Sequence, residues 1–377
     1  MLKGLYLTLM VGPAVPVPVP QVVLDALVSV EVETRSGNRA RSGFTLTFTL
    51  NNRSPLHTLF LLSGGAALPL FRVVVIATIN GIPDVLIDGV VTRQDIRPGE
   101  DASHSTLTVT GLDLCELMNL INFDGLPYPA MPIPARVALI LAKYAAFGII
   151  PLVIPPILFD VPIPTERIPR QQGKDLDYLY QLADEVGYVF YLDAGPAPAT
   201  SVAYFGPEIK VGVPQPALNY NLDLHTNVEQ LSFNFNADSR TLPVVFIQNA
   251  ITKIPIPIPV PDVSLLNPPL GLIAPLSLNI EPLSDTAKLS PIEAALRALT
   301  RASQSADAVQ GTGSLDVLRY GRVLKARKLV GVRGVGPAFD GLYYVSSVKH
   351  RIKRGEYKQD FTLARNGLLS TVPRVAA

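Results

Sequence analysis

The sequence has no tryptophan, one cysteine (Cys115) and four histidines in 377 residues. A single thiol cannot close an intrachain disulfide or build a cysteine-rich zinc site. His57, His104, His225 and His350 lie far apart, and none has another His or Cys at metal-ligand spacing. Charge is sparse too: 17% of residues are Asp, Glu, Lys or Arg, and the formal net charge is +1. That balance gives no general pull toward nucleic acid. With 48% apolar residues it also excludes wholesale disorder. There is no G-x-S-x-G elbow and no H-E-x-x-H zinc helix. No cofactor and no metal are expected. Uninterrupted apolar runs are missing as well. Residues 137–159 contain Lys143 and are broken by Pro151, Pro155 and Pro156, so they read as a buried helix followed by extended chain, with no membrane insertion.

What the chain does have is 35 prolines. Proline fixes φ and removes a backbone donor, which favours extended segments, turns and sheet edges over long helices. At the N-terminus "LYLTLM" alternates like a strand, and a Pro-Val repeat follows where a signal peptide would have a small-residue cleavage site. No signal peptide is expected, and the protein is read as soluble.

The first block, residues 1–114, is rich in strands. "LDALVSVEVETRSGNRARSGFTLTFTL" alternates on both sides of a Ser-Gly-Asn turn, as a long hairpin does. "FRVVVIATINGIPDVLIDGVVTRQDI" gives two more strands joined at Asn80-Gly81, a strong hairpin signal. "STLTVTGLDL" closes the block. Residues 115–214 read as α+β. "ARVALILAKYAAFG" is a mostly buried helix, and "GKDLDYLYQLADEVG" is an amphipathic one. Asp175 can cap its start, Gly187 can end it, and Leu176, Leu179, Leu182, Ala183 and Val186 form its apolar stripe. "YVFYL" and "VAYFG" follow as a hairpin. Residues 215–250 and 311–367 return to strands, the closing ones read from Val317 onward. Between them, residues 251–310 hold a proline-dense arm and a helix capped by Ser290 and Glu293 around Pro291, an insertion expected to pack on the middle domain. The arm cannot be a central strand, because its prolines leave the ladder incomplete. The first and last blocks share one layout. The fold class expected is α+β, mainly β, with two related antiparallel β-barrels and an α+β domain between them.

Candidate chemistry is thin. Gly173-Lys174 ends like a phosphate loop, but Asp175 stands where a hydroxyl residue is needed. "GVRGVGPAFDG" opens into a strand, not a helix, and reads as a turn. The carboxylates Asp175, Asp177, Asp184 and Glu185 read as the solvated face of their helix, although a polysaccharide or cell-wall hydrolase would need two such groups across a cleft. The strongest signal is basic. Eleven Lys or Arg fall within residues 319–358 against only Asp340 and Glu356, which suggests one basic surface. Lys349, Arg351, Lys353 and Arg354 are the candidate contact residues. An ordinary solvated hairpin face is the plain alternative. A nucleic-acid-binding barrel that stacks bases on Tyr320, Tyr343, Tyr344 and Tyr357 is another.

"GVGPAFDGLYYVSSVKHRIKRGEYKQDFTLARNG" resembles the last hub segment of baseplate hub proteins of tailed phages and contractile injection systems. These form the late control protein D group, similar to the N-terminal hub part of VgrG. The pattern is carried by Gly341, Tyr343, Tyr344, Val345, Val348, His350, Phe361, Leu363, Arg365 and Asn366. "GKDLDYLYQLADEVGYVFYLD" looks like that family's central helix-strand unit, and "LTVTGLDL" fits its first barrel. The resemblance implies two tail-tube-like barrels per chain and a homotrimer that adapts a hexameric tail tube to a trimeric spike and forms part of the channel. It implies no enzyme and no catalytic residues. The implied partners are the tail tube protein, a separate spike protein and other baseplate proteins, with cargo, tape-measure protein or DNA as candidates for the lumen. The resemblance also implies assembly in the bacterial cytoplasm, as part of a virion or an injection particle. This sequence departs from VgrG in ending ten residues after Gly367, without an OB-fold or needle.

Overall fold

A computed structural model describes residues 4–13, 15–50, 56, 60, 71–99, 105–156, 161–165, 168–236, 241–248, 255–259, 268–275, 279–282 and 307–372. In the first block, β1 (Leu5–Gly12), β2 (Val17–Pro18) and a one-turn helix α1 (Gln21–Asp25) precede the hairpin β3 (Leu27–Arg35) and β4 (Gly43–Leu50). Next come β5 (Arg72–Ile79), β6 (Ile82–Arg97) and β7 (Ser105–Asp113). Asn80 and Gly81 both have positive φ, 50° and 82°, which is the two-residue turn that matches strand twist.

The middle unit holds α2 (Ile133–Ala142), β8 (Ile149–Val153), α3 (Asp175–Val186), β9 (Val189–Ala194) and β10 (Ser201–Gly206). β10 pairs antiparallel with β9 as the hairpin reading requires, and also parallel with β8. All five apolar stripe residues of α3 are buried, the three leucines and Val186 each worth roughly 1.5–3 kcal/mol. Gly187 ends the helix at φ 76°. The expected cap is corrected: Lys174 is the N-cap, and Asp175 is the first helical residue. Its carboxylate turns inward, accepting from Tyr144 Oη (2.7 Å) and Gln171 Nε2 (2.8 Å) and pairing with Lys143. Three partners hold it in the core, so it is not part of a solvated face.

The last block contains β11 (Gln215–Asn219), β12 (Val228–Phe235), β13 (Thr241–Gln248), β14 (Pro255–Pro259), β15 (Gly271–Ile273), β16 (Asn279–Pro282) and β17 (Val309–Asp316). A short helix, Val317–Tyr320, leads to β18 (Leu329–Arg333), β19 (Gly341–Lys353), β20 (Glu356–Arg365) and β21 (Leu368–Ser370). The expected start of these strands at Val317 is therefore corrected. β17 comes earlier, and Asp316 caps a helical turn through Leu318 N (2.8 Å). In the proline-dense arm, β14 and β16 flank β13, so their prolines lie on outer strands of that small sheet. The helix expected at Ser290 lies outside the described residues.

The class is α+β, mainly antiparallel β. One sheet runs through both blocks in the order β12-β17-β20-β19-β3-β4-β7-β6-β5-β1-β2, with β18 and β11 branching from β19. β19 is the joint. Its Gly341–Tyr344 half pairs with β18, and its Ser347–Lys353 half pairs with β3. The change falls at an irregularity between Val345 and Ser347, where a bulge bends the strand. Because β19 occupies one edge of β3, that edge cannot bond β1. Among the described residues no ladder closes either half. One apolar core fills both halves, from Leu46 and Val109 to Val348 and Phe361. A second core lies in the middle unit around Leu179 and Phe190.

Candidate functional site

Alternation along β19 places Val348, His350 and Ile352 in the core and Lys349, Arg351 and Lys353 on the opposite, wet face, with Arg354 in the turn. Lys349 Nζ lies 2.7 Å from Glu31 Oε2 on β3, and Arg351 Nη2 lies 2.5 Å from Asp360 Oδ1 on β20. Arg354 donates to the Asp25 carbonyl. Lys353 is exposed and has no ion pair among the described residues. Elsewhere in the basic run, Lys325 pairs with Asp84 (2.5 Å), Arg327 with Asp193 (3.5 Å) and Lys358 with Glu229 (3.0 Å). The expected single basic surface is thus partly cancelled. Five of the eleven cations face acids, four of them on strands remote in sequence.

Behind this face, His350 Nδ1 is 2.8 Å from Tyr357 Oη, and Gln359 clasps both the N–H and the carbonyl of Leu324. Complete burial lowers the His350 pKa to about 3, so the ring is neutral. Arg365 is fully buried. It donates to the carbonyls of Gly367 (2.7 Å), Asp340 (3.0 Å) and Ala338 (2.7 Å), and stacks 4.4 Å from the Tyr343 ring. Asn366 Oδ1 accepts from the N–H groups of Leu270 and Gly271, both at 2.9 Å, which seats that part of the proline-dense arm beside β21. The resemblance-bearing His350, Arg365 and Asn366 are therefore architectural.

Three polar junctions that the sequence reading missed tie the units together. Arg327 lies 3.9 Å from the Tyr191 ring centre and donates to the carbonyls of Arg35 (2.8 Å) and Leu192 (3.3 Å), touching the first block and the middle unit at once. Arg72 grips Asp88 through two hydrogen bonds (2.7 and 2.5 Å) and reaches the Ala199 carbonyl. Burial raises the Asp88 pKa, and Arg72 opposes the rise. Lys210, buried between Asp307 (3.0 Å) and Glu208 (4.0 Å), is the third. A charge heading the apolar run "RVVVI" was the available signal for Arg72. Asp184 also serves the fold, bonding Asn38 Nδ2 (2.7 Å) and Arg39 Nη2 (2.8 Å) of the first block.

Among the described residues no group of three or more His, Cys, Asp or Glu could hold a metal. Burial pushes the Cys115 thiol well up, away from a reactive thiolate. Tyr320, Tyr343, Tyr344 and Tyr357 are all buried, so none offers the open face that base stacking needs. Among the described residues no helix is long and apolar enough to cross a membrane.

No family model matches the sequence, and no curated protein sequence matches it. Solved structures do. A tail protein from Neisseria meningitidis MC58 aligns over 97% of this chain and 98% of its own, with a TM-score of 0.63 and 13% identity. The 43 kDa tail protein of prophage MuSo2 from Shewanella oneidensis aligns over 96% and 98%, with a TM-score of 0.57 and 16% identity. An Escherichia coli component of the type VI secretion system, described as similar in structure to the T4 tail proteins gp27 and gp5, aligns over 93% and 75%, with a TM-score of 0.53 and 12% identity. From end to end, then, this chain shares the fold of phage tail proteins and of a type VI secretion component that resembles them.

Proposed function

We propose that the chain is a structural hub of a phage tail or of a tail-like contractile injection system. It assembles as a homotrimer, adapts a hexameric tail tube to a trimeric spike, and contributes to the central channel. The observation that carries this reading is the near-complete overlap with whole tail proteins, spanning both strand blocks and the middle unit together. The interior supports it. Of the titratable groups picked out in the sequence, Asp175, Asp184, Lys349 and Arg351 are engaged by partners within the fold. The nucleic-acid and hydrolase alternatives lose their main residues, since the tyrosines are buried, Asp175 is enclosed and Asp184 is engaged. Lys349 and Arg351 belong to the wet wall of the sheet, and Lys353 and Arg354 to a partner contact. Light scattering with and without tube and spike proteins tests the assignment: trimers alone or on mixing support it. A chain that stays monomeric and ignores both partners overturns it.

A further inference from the structure

Among the described residues no ladder joins β1 to β3, and a seam lies between them. A groove of about 320 Å³ runs along it, floored by Leu5 and Leu7 of β1, Leu24 of α1, Leu27 and Val30 of β3, and Ile352 of β19. That volume is near the lower end for ligand sites, roughly 300–1,000 Å³, and suits one or two side chains better than a cofactor. The backbone beside it is available. Val19 N–H donates to the Leu9 carbonyl on the side of β1 away from β5. Antiparallel alternation puts the backbone groups of Leu5 and Leu7 on that same side, where no partner is found among the described residues.

The rim carries two cations and one carboxylate. Lys353 and Arg354 stand over the groove, and Arg354 makes only a backbone contact with Asp25. The Asp25 carboxylate on the same rim is taken up by Gln21 Nε2 at 3.0 Å. Val28, 46% exposed, adds an apolar lip. A strand edge without a ladder and cations without ion pairs among the described residues, set beside an apolar floor, together specify an occupant. We infer that the seam receives an extended segment of a partner chain, which adds as a strand to β1, seats an apolar side chain on the floor and offers carboxylates to Lys353 and Arg354.

Only the partner's identity as another tail component rests on the proposed function; the groove itself does not. The test uses the full chain and two fluorescein-labelled peptides, acetyl-Glu-Leu-Asp-Leu-Glu and acetyl-Lys-Leu-Lys-Leu-Lys. Fluorescence anisotropy is expected to show binding of the acidic peptide alone. Lys353→Ser with Arg354→Ser should weaken it about tenfold, as loss of two charged contacts implies, with an unchanged melting temperature. Val28→Glu, at the lip, should weaken it as well. Amide exchange at Leu5 and Leu7 should slow when the peptide is bound. No binding, equal binding of both peptides, or binding that ignores these substitutions and leaves β1 unprotected overturns the inference. Because the isolated chain is used, failure to assemble with tube and spike would sink the hub reading and leave this result standing.

Discussion

The guanidinium of Arg327 lies 3.9 Å from the centre of the Tyr191 ring, and this stack clamps the last strand block to the middle unit. The same side chain also donates to the carbonyls of Arg35 and Leu192, so removing it takes away these donors together with the ring stack. Arg327→Ala should cost about 2–4 kcal/mol in urea unfolding. Arg327→Lys should rescue little, because an ammonium cannot lie flat on the ring and serve both carbonyls. Full rescue by lysine would show that only the charge matters.

Asp88 and Arg72 make a second, drier joint. Asp88→Ala alone removes the carboxylate that faces the buried guanidinium and should destabilise by roughly 3–5 kcal/mol. Arg72→Met combined with Asp88→Leu should be less damaging than the single change, since no unpaired charge remains. Equal losses in denaturant melts would mean that the two residues are not coupled.

His350 predicts a pH dependence with a definite sign. Its folded value of about 3 lies below the unfolded 6.5, so between those values the unfolded chain holds the extra proton. Stability from the neutral ring is complete above about pH 6.5 and is lost as pH falls toward 3. Between pH 7 and pH 5 wild type should lose about 2 kcal/mol more than His350→Gln. Parallel stability curves for the two proteins would refute this.

The four basic hairpin residues should separate into two pairs. Lys349→Ser with Arg351→Ser breaks half-exposed ion pairs and should change stability by about 1 kcal/mol or less. Lys353→Ser with Arg354→Ser should leave stability unchanged and impair particle assembly. Counting assembled particles by negative-stain microscopy checks the division, and identical behaviour of the two variants would argue against it.

Local pattern carried much of the fold. The Asn80-Gly81 turn, the α3 stripe and the wet face of β19 follow from residue spacing alone. β17 escaped because Gly311 and Gly313 interrupt its alternation. Their missing side chains make room for the rings of Phe233 and Phe361, which a Cβ would meet at 2.6 Å. β8 escaped because Pro151 lies within it. Least legible was the pairing of β19 with β3, some 300 residues apart in sequence, since no short-range signal encodes a distant ladder. The counter-ions Glu31 and Asp84 were hidden for the same reason. The basic residues were easy to count, and their neutralisation depends on topology.

The shared strand β19 has a mechanical consequence. Its two halves are laddered into different groups of strands, so tension applied along it loads many hydrogen bonds at once in shear instead of unzipping them singly. A load placed on one half of the molecule passes to the other through the continuous backbone of β19.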